Sequence, residues 1–163
     1  MRSALTATLM VLSLAACGDN STTTANHEEV HKEGTPSEST AAETPARTPS
    51  QAGARVYLIE PANGATVKSP VTVKFGIEGM GLAPAGSEEP NSGHHHLLIN
   101  TALKDYDVPI PADHQHKHFG KAQTEATVEL PPGKHTLQAV LGDRNHIPHE
   151  PPVQSEVITI NVE

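Results

Sequence analysis

The stretch Val71-Thr72-Val73-Lys74-Phe75-Gly76-Ile77 sets Val71, Val73, Phe75 and Ile77 on one side and polar or small residues on the other. A period of two is what a strand with one face in a core requires. The same signal returns on both sides of it. Upstream, Arg55-Val56-Tyr57-Leu58-Ile59-Glu60 reads as a strand stopped by Pro61 and turned at Asn63-Gly64. Downstream come Gly93-His94-His95-His96-Leu97-Leu98-Ile99-Asn100, then His114-Gln115-His116-Lys117-His118 running into Phe119, then an alternating segment at 124–130 closed by Pro131-Pro132-Gly133. Residues 134–141 put Leu137, Ala139 and Leu141 on one face, and a last strand runs from Val153 to Val162. No window carries a helical period. About seven short strands separated by turn signals predict an all-β fold, an antiparallel immunoglobulin-like β-sandwich. The globular region has no Cys or Trp to form the immunoglobulin family's own pattern, so strand count and alternation carry the assignment.

The chain has 163 residues and two ends of different kind. Residues 1–16 combine Arg2 with an apolar run from Ala4 to Leu14, which predicts a signal peptide too short to span a bilayer. Leu14-Ala15-Ala16-Cys17 has the form of a lipobox, so Cys17 is the expected lipidation site and the lipid bilayer the expected partner. Gly18 follows where an inner-membrane retention signal would place aspartate. The expected location is the cell envelope, at the outer membrane facing the periplasm if the source is Gram-negative. Cys17 is also the single cysteine, which leaves no intrachain disulfide and no thiolate ligand. Residues 17–54 are rich in Ser, Thr, Ala, Glu and Pro and nearly free of large apolar side chains, the composition of a disordered tether. His27 and His31 fall within it and are expected to be solvated. Residues 55–163 form the predicted histidine-rich domain.

That domain carries eight Lys/Arg against thirteen Asp/Glu and no basic stripe, which argues against a nucleic-acid partner. Its unusual feature is histidine. If direction alternates along the predicted strands, the loops at 78–93, 120–123 and 142–152 share one end of the sandwich. His94, His95 and His96 begin the third predicted strand at that end, His118 finishes the fourth near it, and His146 and His149 sit in the loop after the sixth. In a regular strand His94 and His96 share a face and His95 takes the other, so at most two of the three chelate together. The candidate metal ligands are His94, His95, His96, His118, His146 and His149, with Asp143 and Asn145 carried to the same region. Imidazole is a borderline ligand suited to zinc or copper(II). His114 is expected further down and His135 at the opposite end in a structural role. Each histidine also has a metal-free explanation, as a polar cross-link to backbone carbonyls in a loop-rich rim. No Gly-x-Ser-x-Gly elbow or His-Glu-x-x-His helix is present, so no residue is assigned a catalytic or cofactor-binding role.

Several stretches match one family in order: 71–76 with Gly79-Met80-Gly81, then Gly93-His94-His95-His96-Leu97-Leu98-Ile99, then Pro111-Ala112-Asp113 with His118-Phe119-Gly120, residues 130–135, and Leu141-Gly142-Asp143 with His146 and His149. On these residues the domain resembles a bacterial secreted or lipoprotein family known as domain of unknown function 4399. The resemblance implies a secreted or lipid-anchored domain and no particular activity. Three functions are compatible with the residues. One is a metal-binding module that buffers zinc or copper(II) or passes it to a metal-handling protein. The second is an interaction domain whose histidines are structural or sense pH. The third is a small metalloenzyme, if the site keeps an open position.

Overall fold

The computed structural model describes residues 46–163, so the predicted signal peptide, Cys17, His27, His31 and most of the predicted tether lie outside the described residues. The described chain is all β. The strands are β1 (Arg55–Glu60), β2 (Thr66–Val67), β3 (Val71–Glu78), β4 (Gly81–Leu82), β5 (Ser92–Ile99), β6 (His116–Phe119), β7 (Glu125–Val128), β8 (Gly133–Gly142) and β9 (Ile158–Val162). One sheet has the order β1-β3-β7; the other runs β2-β9-β8-β5-β4, with β6 also paired to β5. Seven strands fall where alternation predicts them. Two more, β2 and β4, are two residues long and pair in parallel with β9 and β5, too short to register as a period. The sandwich therefore has nine strands and is mostly, but not wholly, antiparallel.

Alternation also fixes what fills the space between the sheets. Val71, Val73 and Phe75 come from the small sheet, and Leu97, Ile99, Leu137, Ala139, Leu141, Ile160 and Val162 from the large one, in a single apolar cluster. Two boundaries differ from the pattern. β6 begins at His116 because Asp113 Oδ1 accepts from the backbone of Gln115 and His116, closing a turn where a strand would otherwise start. β9 begins at Ile158 because the Ser155 hydroxyl accepts the Ala139 N–H at 2.9 Å, in place of a ladder carbonyl, and turns the chain out of register.

Strand β5 is unusual in having all eight residues buried. Its one face, with Leu97 and Ile99, enters the sandwich core. Its other face carries Leu98, which packs with Val140 and Ile110 in a second, smaller apolar cluster. The cover over that face is made of connections, and the Ile110 N–H donates to the His146 carbonyl at 2.8 Å, joining the connection before β6 to the one after β8.

Leu97 is fully buried where the two sheets meet. Leu97→Ala should cost about 3 kcal/mol, the middle of the range for a deeply buried leucine, read as a lowered urea midpoint with unchanged slope. A loss under about 1 kcal/mol would mean that β5 is not the centre of the core.

Candidate metal centre

The period of two that buries Leu97 inward turns His94 and His96 toward the covered face of β5. β6 lies antiparallel beside it with His118 directly opposite His96, so His118 shares that face. On the other flank, β8 places Gly142 opposite His94. Glycine is required there by space: a Cβ on Gly142 would stand 2.9 Å from His96 Nε2. Gly120 does the same for the third ring, since its Cβ would lie 2.4 Å from His118 Cε1.

The fourth ring comes from the turn after β8. Asp143 Oδ1 accepts from the backbone N–H groups of Asn145 (2.8 Å) and Ile147 (3.0 Å), and the His146 N–H donates to the Asp143 carbonyl at 2.9 Å. This tight turn holds His146 at a φ of 66°, a left-handed conformation uncommon for a residue with a Cβ. The conformation swings the ring over the others. Its centre lies 4.9 Å from that of His94, 5.9 Å from His96 and 4.8 Å from His118. Among the other three rings the separations are 4.9, 4.9 and 5.1 Å. His94 and His96 are buried, His146 is half-buried and His118 is exposed, so the cluster has a closed floor and an open rim.

The nitrogens converge as well as the rings. Nε2 of His94 and Nε2 of His96 are 3.0 Å apart, and one ligand atom from each of His94, His96 and His118 falls within 4.8 Å of the others. This group could hold a metal ion. Its electrostatics keep it neutral. Burial pushes His94 down to about 4, helped by His146 and His118 and opposed by Asp143. Burial and then the neighbouring imidazoles push His96 to about 2, and burial with His146 lowers His118. Packed together, these rings resist protonation, so their lone pairs stay available at neutral pH.

His95 and His149, the other two histidines that the sequence nominates, stand apart. The strand's alternation sends His95 into the sandwich core, stacked on Phe75 with ring centres 4.6 Å apart, and neither of its ring nitrogens has a partner. His149 is buried with Nδ1 3.2 Å from the Thr48 carbonyl and Nε2 unpartnered above Gly93. His116 pairs with Asp113 at 2.9 Å, and His114 is exposed. His135 bridges Asn100 and the Pro131 carbonyl at 2.9 Å each, a cross-link at the far end of β8 as expected. Sequence reasoning gave no role to Gly120 and Gly142. Their signal was available: each glycine terminates or follows a strand that ends among the histidines.

Residues 73–163, which contain all four clustered histidines, match the model of a family described as Domain of unknown function (DUF4399). No curated protein and no solved structure matches the chain.

His95 yields a prediction free of any metal. Burial lowers it from the ordinary 6.5 to about 4, so below 6.5 the unfolded chain takes up a proton that the folded chain refuses. Stability is then full above about 6.5 and falls as pH drops toward 4, by an amount on the order of 3 kcal/mol for this residue. His95→Leu should stabilise the metal-free chain by about 1 kcal/mol at pH 7.5, by removing two orphaned nitrogens. Urea unfolding at pH 7.5 and 4.5 should also show a shallower acid loss in the variant; equal acid losses would exonerate His95.

Proposed function

The chain belongs to the family described as Domain of unknown function (DUF4399), and on that premise we propose that it is a metal-binding module of the cell envelope. In this reading it is a lipoprotein held to the membrane through acylated Cys17, at the outer membrane if the source is Gram-negative, with a four-histidine centre that buffers zinc or copper(II) or passes it to a metal-handling partner. The sequence of residues 1–17 supports the anchor.

The observation that carries the metal reading is the spacing of the four rings. Imidazoles set tetrahedrally about an ion at roughly 2.0–2.1 Å would have centres about 5 Å apart. The six separations here run from 4.8 to 5.9 Å. Neighbouring histidines packed only for bulk have no reason to meet all pairwise at that distance, with two Nε2 atoms 3.0 Å apart. All the candidate donors are imidazole nitrogens, without thiolate or carboxylate in the set, which fits borderline divalent ions and gives copper(II) the higher affinity. Three convergent ligand nitrogens come from His94, His96 and His118; with His146 as the fourth ligand the site would keep no position for a reactive water, which would favour binding or transfer over hydrolysis. Asp143, buried beside His94, supplies negative charge near the ion without ligating it.

Calorimetry on the metal-free full chain tests this. Zinc and copper(II) should each bind with one-to-one stoichiometry, copper(II) the tighter. His96→Ala should weaken binding by about 100-fold or more, whereas His135→Ala should leave it unchanged. A full chain that binds neither ion more tightly than its His94→Ala/His96→Ala double variant would sink the metal reading.

A further inference from the structure

The turn that presents His146 is itself held from outside, by residues 47–50. This strap runs beside the segment that follows the turn: Pro49 forms a parallel bridge with Glu150, Ser50 N–H donates to the Glu150 carbonyl, and Glu150 N–H donates to the Thr48 carbonyl, both at 2.9 Å. The Arg47 guanidinium donates to the carbonyls of Pro148 (3.1 Å) and His149 and pairs with Glu150. It also lies 5.8 Å from the centre of the Tyr106 ring. Thr48 reaches deepest. Its hydroxyl donates to Asp143 Oδ2 at 2.6 Å, while Oδ1 of the same carboxylate organises the turn.

Asp143 is 1 % exposed, so its carboxylate depends on donors supplied by the protein. Its two oxygens have separate duties: one builds the left-handed turn, and the other fastens that turn to the strap. Resting on the proposed metal site, we infer that Thr48 is a positioning residue for His146, acting through Asp143, and that the strap sets where the fourth imidazole stands. The strap lies outside residues 73–163, so this control comes from chain beyond the family-matched segment. His94, His96 and His118 are fixed by β5 and β6 without it.

The test uses the full chain and copper(II) alone as probe. Thr48→Val keeps the volume and removes the donor. It should weaken copper(II) binding about 10-fold, as loss of an orienting partner does, and shift the copper electron-spin spectrum toward that of His146→Ala. Thr48→Ser should restore both. In a His146→Ala background, Thr48→Val should add nothing. Arg47→Gln, which loosens the strap at its other attachment, should shift the spectrum in the same direction, and covers the case in which Thr48→Val does not fold. Equal weakening by Thr48→Val with and without His146, or unaltered affinity and spectrum in the folded strap variants, overturns the inference and leaves the metal reading standing. No copper(II) binding by the unaltered chain overturns both.

Discussion

Strand β5 must be buried on two faces, and the rest of the domain is arranged to meet that requirement. A strand in an ordinary sandwich needs one cover, and its outer face is polar. Here the inner face is covered by the small sheet and the outer face by connecting chain. Connections are poor at burying backbone, since each carries polar groups that need partners. The turn at 143–147 answers that with Asp143, whose one oxygen takes two backbone donors. The histidine cluster thus sits in a space that secondary structure opens and loops close.

Much of this was legible in the sequence. Alternation at 71–77 and 134–141 located the core strands because a period of two survives in any strand with one dry face. The pairing of His94 with His96, and the separation of His95 from both, follow from that same geometry. Convergence with His118 and His146 was readable because antiparallel order assigns loops to ends. What could not be read was the choice between His146 and His149 as fourth ring. That choice depends on a left-handed φ imposed by hydrogen bonds to Asp143, and no pattern of residue types encodes it. The contact of residues 47–50 was equally hidden, since their composition matches that of the preceding tether and only the partner groups on 143–150 give them a fixed place.

The domain also tolerates costs that a purely structural protein would avoid. His95 and His149 together leave three ring nitrogens buried without partners, and His96 leaves its Nδ1 in the same condition. Orphaned polar atoms of this kind cost on the order of 1–3 kcal/mol each. His146 adds backbone strain of about 1 kcal/mol or more. A sequence selected for stability alone would place leucine or valine on β5, as it does at Leu97 and Leu98. The retention of strain at one histidine and desolvation at others marks the end of the sheet where stability has been given up.

The outer edge of β5 is shared, with β4 beside Ser92–Gly93 and β6 beside His95–Leu98. At the other side of the same sheet, β2 covers the end of β9, and Thr159 has its N–H taken by Asn63 and its carbonyl by Gly64. Among the described residues, the open border that remains at β6 is four residues long, a short template for a strand from a neighbouring copy. An edge that short gives neighbouring copies of the domain little length over which to extend its largest sheet.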